Sequence, residues 1–301
     1  MTFGLKGYAS GATYEKVLTI EWLVVTLKSK IKRYFPSAAL RYCHLRFFLR
    51  TIFLKQFRPK KHDQKISVYR FGSEYGGWEF ADRDYLYDST VISAGLGLDA
   101  SFDVEFCSKY RATVFLLDPT PQSVSHFEEI RQKFGRKRSC GYLEGFNQPV
   151  ESYELTKVFN SNFQLIPKAI WDKTGLVEFF SPSNPNHVSF SITNLQKTSE
   201  SIMVPAISYP DLLHLIDKSA DEIKLLKLDV EGAATEVLLS ILSNGFRPKQ
   251  ILVEFEELFV YSLKNFKKLK VISKALLEAE YELVSTDYVA NFIYEFTGDE
   301  E

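Results

Sequence analysis

The 301-residue chain has few cysteines, methionines and tryptophans: 3, 2 and 3. Cys43, Cys107 and Cys140 are scattered and odd in number, which excludes a disulfide framework and a zinc-type spacing. That usage points to a reducing compartment, the cytoplasm. The 5 histidines do not cluster with the cysteines. No apolar run approaches the ~18 residues of a membrane span. The N-terminal residues lack the layout of a signal peptide. Internal repeats and long low-complexity segments are also missing. What is present is an ordinary globular composition, 45% apolar and 25% charged, with 25 Phe and 16 Tyr. It suits one large domain, or one domain with an arm.

The net charge of −1 hides an asymmetry. Up to His62 there are 13 Lys or Arg and 2 Glu; beyond it 24 basic residues stand against 36 acidic ones. The division predicts a basic helical arm over 1–62 and a domain over 63–301. In the arm, Tyr14 to Phe35 and Ala38 to Phe57 have helical apolar spacing, with Pro36 between them. The plain reading is a helical hairpin packed on the domain or on a second copy. The functional reading is a basic amphipathic face for peripheral contact with an anionic membrane or a charged polymer. Nucleic acid is not expected, because the body is acidic and carries no recognition motif.

The stretch from Thr90 to Asp103 organises the body. Thr90–Ala94 is apolar and β-branched, and predicts a buried strand. Gly95 and Gly97 break it. A helix then begins, with Asp99 or Ser101 as N-cap and Glu105 in the first turn. Strand, glycine turn and helix start together make a nucleotide-type site, because glycines admit a ligand close to the backbone. A second strand, Thr113 to Asp118, ends in a carboxylate roughly 20 residues further on, where doubly wound folds hold a ribose diol. The pattern Gly95-x-Gly97-x-x-Ala100 also fits a dinucleotide fingerprint. Asp99, however, sits inside the loop that would hold a pyrophosphate, and an anion there repels it by several kcal/mol where solvation is poor. S-adenosylmethionine carries a sulfonium and an ammonium and no phosphate, so it is the preferred cofactor and NAD the alternative.

Further strands are expected at Phe163–Ile170, Ile223–Asp229 and Gln250–Phe255, with helices after Pro121, from Tyr209, from Ala233 and from Phe266. The alternation predicts a parallel sheet with helices on both faces. Tyr281–Ser285 and Val289–Phe296 close the chain as a hairpin, which puts an antiparallel strand into the sheet. Short extended pieces at Leu176–Phe180, Val188–Ile192 and Ile202–Val204 flank a polar, turn-rich insertion, a length that favours a binding role. Ile66 to Trp78, a strand and a glycine turn, is placed to fold over the cofactor cleft.

Three segments carry a family resemblance: Tyr69 to Trp78; Ile92 to Asp103 with Phe115 to Pro121; and Leu226-Lys-Leu-Asp-Val-Glu-Gly-Ala233 with Glu236-Val-Leu238. Together they resemble the FkbM-type S-adenosylmethionine-dependent methyltransferases over roughly residues 66–296. The resemblance implies an α/β, Rossmann-like class I methyltransferase fold: a mostly parallel seven-stranded sheet with an antiparallel terminal strand, here with an N-terminal helical arm. It implies O-methylation of a hydroxyl on a small molecule or glycan. The chain departs from the wider class at Ser93, where many members have an acid, and at Asp99, where the loop has a third glycine.

Methyl transfer needs acceptor, carbon and sulfur held in line, and a base for a hydroxyl proton. Ser93, Gly95, Gly97, Asp99, Asp118 and Pro119 form the expected cofactor side, with Trp171 and Asp172 where such folds meet adenine. Asp229 and Glu231, two residues apart at a strand end, should share a side and face the methyl position; Glu254 stands ready to join them. A helix cap near Gly232 is the plain reading of Glu231. A metal would need ligands that the sequence does not assign. His187, in the polar insertion, is the first candidate for the base because imidazole titrates near neutrality. His126 and His214 fall on helices and read as structural. The non-enzyme alternative is a cofactor-binding scaffold that assembles through the basic helices.

Overall fold

A computed structural model describes residues 52, 53, 57, 66–180, 200–259, 262–287 and 289–298. The chain divides into two compact units, 1–52 and 53–301, and the fold below is that of the second. The expected helices of the arm lie outside the described residues, apart from Ile52, Phe53 and Phe57. So do His187 and the expected strand Val188–Ile192.

Twelve strands and five α-helices are described. β1 (Val68–Phe71) and β2 (Trp78–Ala81) form an antiparallel hairpin. The main sheet then begins with β3 (Thr90–Ala94), α1 (Ser101–Tyr110), β4 (Thr113–Leu117), α2 (Pro121–Arg131) and β5 (Phe163–Ile166). A small sheet follows, made of β6 (Ala169–Trp171), β7 (Gly175–Phe180) and β8 (Ser201–Ser208), with α3 (Tyr209–Leu215) after it. The chain returns to the main sheet as β9 (Ile223–Leu228), α4 (Ala234–Ser243), β10 (Gln250–Glu254), α5 (Leu263–Glu278), β11 (Tyr281–Thr286) and β12 (Asn291–Phe296).

The seven-stranded sheet has the order β11-β12-β10-β9-β3-β4-β5. β12 runs antiparallel to both neighbours, and the remaining pairs are parallel. This is the expected Rossmann-like α/β arrangement. All five residues of β3 are buried, which is why the strand carries no charge and does not alternate apolar with exposed polar residues. One face carries Leu212, Val237, Leu238, Leu269 and Ile272 from α3, α4 and α5; the other carries Phe102, Phe106, Tyr110, Phe127 and Ile130 from α1 and α2. Each such side chain contributes about 1.5–3 kcal/mol by leaving water. Phe57 belongs to the first of these cores, with its ring 4.9 Å from that of Phe292.

From β3 the chain steps outward through β4 and β5, then returns to the other side of β3 as β9 and β10. The strand order thus reverses between β3 and β9. In open α/β sheets a crevice opens at that point, beyond the carboxyl ends of the strands.

Four local expectations are corrected. Phe163–Ile170 is not one strand: Pro167 has no N–H for the ladder, the Lys168 N–H bonds back to the Ile166 carbonyl at 2.7 Å, and the chain leaves for the small sheet. The short piece at Ile202 is an eight-residue strand, β8, held between β6 and β7. Ala100 rather than Asp99 or Ser101 occupies the N-cap of α1, although the Asp99 carboxylate accepts the Ser101 N–H at 2.9 Å. Asp103, not Glu105, is the acid of the first turn; Glu105 reaches out to the Gly72 N–H at 2.9 Å.

Candidate active site

The glycine turn after β3 is forced by its neighbour. Gly95 has φ +92°, and a Cβ there would stand 1.9 Å from the Asp229 carbonyl oxygen. The Asp229 N–H in turn donates to the Ala94 carbonyl at 3.0 Å. The ends of β3 and β9 therefore touch through their backbones, and only glycine fits. Gly97 has φ +57°.

A cavity opens there, at the carboxyl ends of β3, β4 and β9, enclosing about 930 Å³ counted out to its open mouth. Gly95, Gly97, Asp99, Asp118 and Pro119 line it on one side, and Asp229 and Glu231 on the other. Ala169, Ile170 and Phe179 from the small sheet make an apolar wall. Trp171 and Asp172 follow that wall in sequence without lining the cavity. Ser93 is fully buried in the middle of the sheet, opposite Lys227 in register, and also stays off the lining.

On the glycine side the carboxylates are satisfied by backbone. Asp118 Oδ2 accepts the N–H groups of Leu96 at 3.1 Å and Gly97 at 3.0 Å, while Oδ1 accepts Thr120 N–H and Oγ1–H. Asp99 accepts the Ser101 N–H and the Ser73 hydroxyl. Ser73 belongs to the turn of the β1–β2 hairpin, so this bond draws the turn over the cavity, where Tyr75 and Gly76 join the lining. The Tyr75 ring meets Phe146 edge-on across the mouth, with 6.3 Å between centroids. Partial burial, then the charges of Asp229 and Glu231, hold the Tyr75 hydroxyl above its usual range.

On the other side the carboxyls face one another. β9 and β10 are paired with Leu228 opposite Val253, which brings Asp229 beside Glu254. Burial pushes Glu254 up to about 9, with the charge of Asp229 and a hydrogen bond to it adding to the effect. Glu256 is pushed up to about 10 by burial and by its hydrogen bond to Glu231. Asp229 and Glu231 both reach the cavity, but not by strand alternation. β9 ends at Leu228, and the turn through Gly232, φ +67°, brings Glu231 round. The N-cap position of α4 is Ala233 rather than Glu231.

Three contributors escaped the sequence reading. Lys227 is 3% exposed and lines the cavity; its signal was a charge between two leucines of an otherwise apolar strand end. Glu256 lies two residues past the acid that was noted. Phe146 had no signal, since its loop is closed by Gln148, which bonds Leu143 and Gly145. His126 is structural as expected: it is buried, 2.9 Å from the Tyr153 hydroxyl, and burial lowers its pKa. Among the described residues, no three His, Cys, Asp or Glu side chains converge as a metal site. Nor is any described helix long and apolar enough to cross a membrane.

Comparison with known proteins gives one match. The methyltransferase FkbM domain matches residues 99–283, well over half of the chain and including Asp99, Asp118, Lys227, Asp229 and Glu231. No curated protein and no solved structure matches significantly.

Proposed function

Since the chain belongs to the FkbM methyltransferase family, we propose that it methylates a hydroxyl of a small molecule or glycan with S-adenosylmethionine as donor. The observation that carries this reading is the cavity at the strand-order reversal, with Asp99 and Asp118 at one end and Asp229 and Glu231 at the other. The bound cofactor would supply an electrophilic methyl group on a sulfonium. A cation of that kind suits an acidic lining. A diphosphate does not: it would meet Asp99 and Asp118. This argues against NAD.

Asp118 would hold the ribose hydroxyls by exchanging its bonds to Leu96 and Gly97. Gly95 and Gly97 would let the backbone approach the methionine end. The adenine would lie against Ala169, Ile170 and Phe179, with Trp171 packed against that wall and Asp172 at its exposed edge. Tyr75 and Phe146 would close the mouth and limit water. Asp229 and Glu231 would orient the acceptor and take up its proton, each next to a partner carboxyl that retains a proton at neutral pH. His187 is the rival base. If it serves, His187→Ala lowers turnover by about 10²–10⁴ with cofactor affinity unchanged.

The test is calorimetry of the full chain with S-adenosylmethionine and with NAD, followed by transfer of a labelled methyl group to a library of glycans and small alcohols. Binding of NAD without S-adenosylmethionine rejects the proposal.

A further inference from the structure

The most unusual side chain in the described core is Lys227. A lysine costs much to bury unless it is paired and hydrogen-bonded, yet this one sits in the middle of the sheet. Its Nζ donates to the Gly95 carbonyl at 3.0 Å and lies 3.3 Å from Asp229 Oδ2. The Trp78 ring covers it, 5.2 Å from Nζ to the centroid, a cation–π contact from the β1–β2 hairpin. Four separately folded pieces therefore meet at one ammonium: the glycine loop, the carboxylate turn, the hairpin roof and β9 itself.

We propose that Lys227 is the positioning residue of this site, tying the cofactor loop through Gly95 to the acceptor-side carboxylate Asp229, and so coupling cofactor affinity to the protonation of the carboxyl cluster. This rests on the cofactor reading above. The mechanism has two parts. Geometrically, the ammonium fixes the Gly95 carbonyl and Asp229, the carboxylate that also bonds Glu254. Electrostatically, it is the positive charge within a group of acids. Asp229 faces it from the end of β9, Asp103 from α1 and Glu254 from β10. Beyond Glu254 lie Glu231, Glu256 and Tyr75. The ammonium opposes the upward shift of both Asp103 and Glu254. Without it, Glu254 would hold its proton to higher pH, so the pH at which the cluster gains its negative charge would rise; the loss of affinity near neutrality would come from the freed Gly95 carbonyl and Asp229 carboxylate.

The experiment is calorimetric binding of S-adenosylmethionine to the full-length wild type and to Lys227→Gln, from pH 6 to 10, with melting curves to confirm folding. Wild-type affinity should rise with pH as Glu254 loses its proton. In Lys227→Gln the affinity near neutrality should fall about tenfold, and the midpoint of the rise should move to higher pH. The cofactor's own ammonium titrates alike in both proteins and cancels in the difference. A folded Lys227→Gln with wild-type affinity overturns the proposal. So does one with lower affinity and an unmoved midpoint, since that is a merely structural effect. If Lys227→Gln does not fold, Asp229→Asn replaces it. It removes the charge that raises Glu254, so the midpoint should move down; an unmoved midpoint again overturns the proposal. A wild type that binds no S-adenosylmethionine at any pH would instead refute the cofactor reading.

Discussion

The two ends of the cavity solve the same problem differently. Both hold buried or half-buried carboxylates at strand ends. At the glycine end, Asp118 and Asp99 are met by backbone N–H and hydroxyl donors, four of them around Asp118 alone. At the other end, Glu254 and Glu256 are met chiefly by other carboxylates, and burial beside those charges raises the pKa of both. The first arrangement makes a wall fixed by its hydrogen bonds. The second favours partial protonation and makes a wall whose charge follows pH. An enzyme that holds a cationic donor and must also dispose of a proton has a use for both.

The largest effect should come from the seam that joins the ends. Gly95→Ala drives a Cβ against the Asp229 carbonyl and requires φ +92° of an L-residue. It should destabilise the fold by roughly 3–5 kcal/mol from overpacking and left-handed strain together, read as a lower urea midpoint. An unchanged midpoint would mean that β3 and β9 do not meet this closely.

Asp118→Ala tests the fixed wall. It removes charge-assisted bonds worth roughly 1.5–3 kcal/mol, so S-adenosylmethionine affinity should fall about tenfold to a hundredfold. The loop N–H groups it frees should also loosen the glycine turn, seen as faster amide exchange at Leu96 and Gly97. Unchanged affinity would remove Asp118 from the cofactor side.

The variable wall predicts a pH dependence of stability. A carboxyl whose pKa is raised on folding binds more protons in the folded chain than in the unfolded one, between the two pKa values. The cluster's contribution is therefore intact below the ordinary 4.5 and is lost as the pH climbs towards about 9 and 10. Glu256→Gln should relieve part of this, stabilising the protein by about 1 kcal/mol at pH 8 and by almost nothing at pH 4.5. Denaturant curves at the two pH values check it. A gain equal at both would show that the glutamate is not shifted.

The smallest effect is expected at the mouth that spans both walls. Tyr75→Ala should leave stability within about 0.5 kcal/mol, because the side chain is 63% exposed. It removes the edge contact with Phe146 and should speed S-adenosylmethionine release about threefold to tenfold by stopped flow. An unchanged release rate would leave the mouth open with or without Tyr75.

Much of this was legible in local pattern. β3 and β4 lie where their apolar runs end, at the glycines and at Asp118, because a doubly covered parallel strand must be apolar throughout and glycine must follow it here. The antiparallel closure by β12 followed from a hairpin signal near the end of the chain. Asp229 and Glu231 both line the cavity, but as residues of the turn after β9 rather than of the strand itself, since β9 ends at Leu228. The β5–β6 break was readable from Pro167, but the small sheet it feeds depends on strands more than thirty residues away.

What the sequence determined by itself was the order of strands and helices and the position of the glycine seam, because periodicity and backbone freedom act between neighbours in the chain. Tertiary structure alone decided which acids are donor-satisfied and which stand among other carboxylates. Asp118 meets Leu96 and Gly97 from 22 and 21 residues away, Glu254 meets Asp229 across a strand pair, and Lys227 meets Gly95 at a separation of 132 residues. Charge states and pKa values are set by burial and by neighbours in space, and a residue's neighbours in space are fixed only once the sheet has formed.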